Sequence, residues 1–467
     1  MHSLFDIAAD LDTPVSAYLK LRPFKPRFLL ESVEGGERVA RYSFIGFGDC
    51  LSLTIGAGGV DLTRAGTRVV EHRPRPRSAA ELYAIFREAL SHAPRPEQGQ
   101  LDLPLAGGLV GVSAYDLVRY MERVPARHPE LPGVPDASYI APESLLCFDH
   151  VTHRMALLHA GSDAERAALK HEIVRALQGG HAAGRRPARV APAVASLSRA
   201  DYLERVQRAK EYIAAGDVYQ LVLSARFAGE CELDPFLAYR ALRLLNPSPY
   251  MYFCELGEHT IVGSSPEALV KLQAGNASLR PIAGTRPRGS DPESDAAHER
   301  ELLADVKENS EHVMLVDLAR NDLGRVAEAG SVRVNPFRVI ERYSHVMHMV
   351  SGVTGRLKAG CDAFDLFGAA FPAGTLVGAP KVRAMQLIEE LEPVRRGFYG
   401  GTVGYFGSGG QMDQAITIRT LVFGNGGYSY QAGAGIVADS VPDLEYDEVL
   451  AKSAVLGRAL VLAKEEL

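Results

Sequence analysis

Residues 424–427 read Gly-Asn-Gly-Gly and stand between two runs of apolar, aromatic and β-branched residues, Ala415–Phe423 and Tyr428–Val437. Asn and Gly are the residues that reach the positive φ angles a tight β-hairpin turn requires. The segment therefore predicts a hairpin, and a hairpin commits its sheet to antiparallel pairing. Earlier in the chain, short strand-like runs alternate with Gly-rich turns: Arg27–Ser32, Arg41–Gly46 and Gly107–Val112. Helical periodicity appears at Ala79–Ala89 and Ala164–Leu177. Ser198-Arg-Ala-Asp201 reads as a capping box before Tyr202, Val206, Ala209 and Ile213, with Gly216 where the helix should stop. A last helix is expected from about Leu444 to Lys464. Helices with antiparallel hairpins point to an α+β fold, not a doubly wound one. The small, Pro-bearing, aperiodic stretch 179–197 reads as a linker between an N-terminal region, 1–178, and a C-terminal region, 198–467.

The formal net charge of −6 disfavours a nucleic-acid partner. No apolar run approaches a membrane span, and the N-terminus lacks a basic segment followed by an apolar core. The five cysteines are scattered with no Cys-x-x-Cys, which suits a reducing cytoplasm and disfavours a disulfide framework or a structural zinc site.

Two segments carry paired carboxylates. Along Glu299–Leu318, a continuous helix would gather Leu302, Leu303, Val306, Val313 and Met314 into one apolar stripe and place Glu308 and Glu311 together opposite it. In the last helix, Glu445 and Glu448 repeat the spacing, and Lys452 continues that face one turn later. Either pair alone is an ordinary solvated face. If the fold makes the faces meet, the repulsion between them calls for protons or a hard divalent cation.

Three other patterns are neutral. Gly433-Ala-Gly435-Ile-Val-Ala438 matches a dinucleotide fingerprint, but Asp439-Ser-Val-Pro442 follows where a helix would have to begin, so a dinucleotide site is rejected. His345 and His348 lie among core-like residues without a third zinc ligand. Thr375 precedes Gly378-Ala-Pro-Lys381 and an amphipathic helix, where its hydroxyl suits either capping or an anion.

Taken together, the C-terminal motifs resemble the chorismate-utilising enzymes, and most closely the anthranilate synthase component I family. The residues are Pro281–Gly289 (Pro-Ile-Ala-Gly-Thr-Arg-Pro-Arg-Gly), Glu311–Asp322, Tyr343–His348, Gly374–Met385, Tyr399-Gly-Gly401 and Gln431–Ser440. Leu29-Leu-Glu-Ser32 and Arg41–Gly46 extend the match over almost the whole chain. The resemblance implies two orthogonally packed antiparallel sheets flanked by helices. It implies Mg²⁺ held directly by Glu311 and Glu448, with Glu308 and Glu445 beside them. It makes His348 the active-site histidine. Gly284, Thr285, Thr375, Tyr399, Arg419, the backbone of Gly433, Ala434 and Gly435, and Lys452 would line a chorismate pocket.

Within that family, members that add water carry a lysine base where this chain has Gln220, and aminodeoxychorismate synthases carry a lysine where it has Ala283. Both positions favour anthranilate synthase over aminodeoxychorismate synthase. A non-catalytic tryptophan-binding protein is the more distant alternative, and the intact charged residues argue against it. No glutaminase domain is evident. Ammonia is therefore expected from solution or from a separate glutamine amidotransferase subunit in a heterotetramer. Ser32, Pro249, Tyr250, Met251 and Tyr405 match the family's feedback site for tryptophan.

Overall fold

The computed structural model describes residues 5–33, 41–64, 70–96, 103–180, 189–343, 346–465 and 467. Helices lie against strands whose pairings are all antiparallel, as the hairpin predicted. That hairpin joins Thr420–Gly424 to Gly427–Ile436, with Phe423 opposite Tyr428 and Gly424 opposite Gly427. Its two turn residues, Asn425 and Gly426, have φ of 51° and 71°, the left-handed pair of a type I′ turn.

Among the described residues, 21 strands are linked by hydrogen bonds into one network, and a separate three-stranded sheet stands apart. The sheets expected from the sequence are thus continuous through shared strands. The long strand Tyr42–Gly56 pairs with Ala137–Asp149 along most of its length, and its register shifts between Asp49 and Leu51.

The regions on either side of 179–197 share this network. Phe28–Glu31 pairs with Tyr250–Leu256, and Gly108–Ser113 pairs with Thr402–Gly407. The largest apolar core also draws on both regions, from Leu51 and Phe86 to Phe406 and Val449. Residues 181–188 of the linker lie outside the described residues. Its end is not a free tether, because Val194–Ala195 pairs with Ala228 and Phe227. Backbone groups that composition marks as linker find ladder partners here.

The Glu299–Leu318 helix is broken in two. Pro292–Ala304 ends at Asp305, whose side chain accepts from the Glu308 amide and caps a new helix, Val306–Gly324. The break shifts the helical phase, so the expected stripe fails. Val306 is 80% exposed and Val313 41%, while His312, Leu315, Val316, Ala319 and Leu323 are buried. Glu308 and Glu311 nevertheless stay one turn apart on the second helix.

The run Ala415–Phe423 is also two strands, Met412–Ile416 and Thr420–Gly424. Between them Arg419 adopts φ 48°, a left-handed conformation that is strained for a residue with a side chain. The other elements match their sequence signals closely: Ala79–His92, Asp163–Gln178, Arg199–Ala214 with its Ser198 capping box, and Pro442–Glu465.

Candidate active site

A cavity of about 230 Å³ opens where the last helix crosses the strand Gly427–Ile436. Of the residues singled out in the sequence, Glu311, Thr375, Tyr399, Arg419, Gly433, Gly435 and Lys452 line it, with Gln220. The strand places Gly433 and Gly435 on one face by its two-residue period, while Ala434 is buried in the core. A Cβ at 433 would lie 2.8 Å from the Tyr399 hydroxyl, and one at 435 would lie 2.5 Å from Gln220 Nε2. A side chain is excluded at 433, where an added Cβ would also lie 2.9 Å from the Leu223 carbonyl, while one at 435 would have to displace only the flexible end of Gln220. The glycines serve close approach of polar side chains to the strand. No helix begins at them, since the next one starts at Pro442.

The carboxylates of the two helices come within electrostatic reach of one another. Burial raises the Glu311 carboxyl above the ordinary glutamate range, and so do the charges of Glu308 on its own helix and Glu448 on the last one. A hydrogen bond with Gln220 opposes that rise. Glu445 is raised too, by burial first and also by Glu448, against a hydrogen bond from Ser440. Lys452 Nζ lies 2.6 Å from Glu448 Oε1 and donates to the Gly433 carbonyl at 3.1 Å, tying the last helix to the strand. Glu308 is held by Arg286 at 3.4 Å. Carboxylates that raise one another in spite of these partners suit a hard cation with oxygen ligands. No three His, Cys, Asp or Glu side chains among the described residues converge enough to hold a metal alone. The four glutamates expected around a metal do not form such a group, so a cation here would take one or two of them and fill its shell with water and substrate oxygens.

His348 and Thr285 sit together, but not on this wall. They face each other across the three-stranded sheet formed by Ile282–Pro287, Val346–Val350 and Val339–Arg342. The small sheet reaches the cavity through Ile282. His348 Nδ1 is 3.0 Å from Thr285 Oγ1 and 3.2 Å from the Gly284 carbonyl. A carbonyl only accepts, so Nδ1 carries the hydrogen in this arrangement. His345, the other member of the His-x-x-His pattern, lies outside the described residues.

One residue escaped the sequence reading. Glu267 follows the strand His259–Ser265 and lines the cavity, where it accepts from the Thr375 hydroxyl at 3.0 Å. Burial pushes its carboxyl up to about 7, against the pull of Thr375, Lys452 and Arg419. Thr375 is thus spoken for by a carboxylate and caps nothing. A lone acid after Ser-Ser-Pro has no spacing signal, and only the tertiary surroundings raise its carboxyl.

A second cavity, of about 600 Å³, gathers Ser32, Pro249, Tyr250, Met251 and Tyr405. Tyr250 donates to Asp413 at 3.1 Å, and Lys271 pairs with the same carboxylate at 2.8 Å. The Ser32 hydroxyl oxygen is buried with no hydrogen-bond partner among the described residues.

Comparison with known proteins shows the family. The model of the chorismate binding enzyme family matches residues 25–458. Anthranilate synthase component 1 of Thermus thermophilus is 46% identical, over 98% of this chain and 97% of the relative. The crystal structure of anthranilate synthase component I from Streptococcus pneumoniae superposes with a TM-score of 0.78 at 33% identity, covering 96% of this chain and 98% of that one. The menaquinone-specific isochorismate synthase of Escherichia coli shares the fold, with a TM-score of 0.69 at 19% identity over 97% of this chain and 92% of that one. With its family model matched from residue 25 to 458 and a near-full-length relative at 46% identity, the chain belongs to the chorismate binding enzyme family.

Proposed function

We infer that the chain is an anthranilate synthase component I, which converts chorismate and ammonia to anthranilate and pyruvate. The observation that carries this reading is one cavity lined by a carboxylate that other glutamates crowd, a second, half-buried acid and an arginine: Glu311, Glu267 and Arg419. Chorismate is a dianion. Arg419 and the Tyr399 hydroxyl suit one carboxylate, and the Glu311–Glu448 side suits the other through Mg²⁺. Bound there, Mg²⁺ would hold the ring carboxylate and draw electron density from it, making C2 more electrophilic.

The chain's own residues do the rest. Glu267, protonated up to about pH 7, donates to the C4 hydroxyl so that it leaves as water while ammonia bonds at C2. The Thr375 hydroxyl fixes the orientation of that carboxyl. Lys452 holds Glu448 in place and adds positive charge to the cavity. Loss of the C2 proton and of the enolpyruvyl group as pyruvate completes the aromatic amine. Since Nδ1 of His348 is engaged with Gly284, a proton moved by His348 is one at Nε2. Gln220, bonded to Glu311, is not a base that would activate water. Ala283, on the small sheet opposite Met349, offers no amine to trap the substrate.

Purified protein with chorismate, ammonium at alkaline pH and Mg²⁺ is expected to form anthranilate, seen by its fluorescence and identified by chromatography. EDTA should abolish the signal. An aminodeoxychorismate product would replace this reading by the folate-type one. No turnover in a folded protein that still binds tryptophan would favour the regulatory reading.

The 600 Å³ cavity is proposed as the feedback site for tryptophan, supported by the five expected residues that line it and by the unpartnered Ser32 hydroxyl. Ser32→Phe is expected to remove inhibition by tryptophan and leave basal activity intact; unchanged inhibition would count against the site. The chain contains no tryptophan, so the ligand's own fluorescence reports its binding. A glutamine amidotransferase subunit is the proposed ammonia source in the assembled enzyme.

A further inference from the structure

Tyr399 stands in an unusual place. It lines the 230 Å³ cavity on one side and, with Gln431, a separate cavity of about 530 Å³ on the other. The ring belongs to the main apolar core and is 9% exposed, but a wall between two cavities is packed less completely than the interior. Directional contacts add to what packing leaves open.

Those contacts converge on Arg396, which is 4% exposed. Its guanidinium lies between two rings, 4.9 Å from the centroid of Tyr115 and 5.5 Å from that of Tyr399. Nη1 donates to the Leu376 carbonyl at 2.6 Å and Nη2 to the Val222 carbonyl at 2.9 Å. Leu376 and Val222 both line the substrate cavity, and Leu376 is the neighbour of Thr375. Glu392, one turn before Arg396 in sequence, takes Nε at 2.9 Å and Nη2 at 2.6 Å. The same carboxylate accepts from the Ser224 amide at 2.9 Å and hydroxyl at 2.6 Å. Gln431 Nε2 in turn donates to that hydroxyl at 2.8 Å.

We propose that the buried Arg396–Glu392 pair is a positioning device for the known cavity, holding Tyr399, Gln431 and the Leu376 and Val222 segments in the geometry that receives the substrate. Four wall pieces from separate parts of the chain are fastened from behind by two side chains that line up no atom for the reaction themselves. The planar fork of arginine is what allows one cation to serve two carbonyls, a carboxylate and two rings at once. A lysine keeps the charge and loses that geometry. The proposal rests on the chorismate reading above.

The test is steady-state kinetics with chorismate, ammonium and Mg²⁺, alongside melting temperature and tryptophan binding by fluorescence. Arg396→Lys is expected to raise the chorismate KM about 10- to 100-fold and to change kcat much less, because a loosened wall weakens substrate holding. Melting should stay cooperative and tryptophan binding should be retained. Glu392→Gln, which keeps the shape and one acceptor oxygen but removes the charge and sets an NH2 donor where Oε2 accepts from Arg396 Nε, should shift KM in the same direction and serves if Arg396→Lys does not fold. Tyr399→Phe should add less than its full effect to the KM of Arg396→Lys, since the clamp is what aims the hydroxyl of that ring.

A folded Arg396→Lys or Glu392→Gln protein with wild-type KM would overturn the clamp. So would full multiplication of the Tyr399→Phe and Arg396→Lys effects, or losses of KM, kcat and tryptophan binding that all follow the melted fraction. Wild-type protein that does not turn over chorismate would instead remove the reading on which the clamp depends.

Discussion

Glu267→Gln is expected to lower kcat by about 10²- to 10⁴-fold, the range lost when a positioned acid is removed. Gln fills the same space and can still accept from Thr375, so chorismate binding should change far less. The pH profile separates this role from a structural one. The acid works in its protonated form, and burial holds its pKa at about 7. With rates expressed per unit of neutral ammonia, kcat/KM should therefore be level below that pH and fall above it as the proton is lost. That alkaline limb should vanish in Glu267→Gln. A variant with near-normal kcat, or one that retains the limb, would assign the leaving-group proton to another residue.

Glu311→Gln should be equally damaging for a different reason. At fixed Mg²⁺ the loss in kcat/KM is expected to be at least about 10²-fold, since the proposed ligand keeps one oxygen but loses its charge. Thermal stability supplies a readout independent of turnover. In the metal-free protein Glu311 is crowded by Glu308 and Glu448 as well as buried, so the neutral amide should cost no stability at neutral pH and relieve repulsion. Wild-type protein should gain about 2.7 kcal/mol when free Mg²⁺ reaches a hundred times its Kd, and the variant much less at the same concentration. Equal Mg²⁺ stabilisation of both proteins would rule Glu311 out as a ligand.

Much of the local structure was legible without coordinates. The I′ hairpin needs only Asn425 and Gly426 at positive φ, and the helix after Ser198 needs only its cap and its apolar spacing. Such signals act within a few residues, so a sequence contains them whole. The motifs also named most of the cavity wall, because their order along the chain is a signature even where each residue alone is neutral. The reading failed where a local break intervened. Asp305 split a helix whose apolar period ran on across the break, and Arg419 interrupted what composition showed as one strand.

What the sequence by itself determined was therefore the antiparallel α+β class, the capped helices and hairpin, and the motif set that marks the family. The tertiary structure decided which charges meet. Glu308 and Glu448 lie 140 residues apart in number, and each is an unremarkable acid until the fold brings both within electrostatic reach of half-buried Glu311. Glu267 is an ordinary glutamate until burial raises it to about 7 with Thr375, 108 residues away, holding its oxygen. The physical reason is common to both: periodicity and turn chemistry are short-range, whereas desolvation and the field of other charges depend on what three dimensions bring alongside.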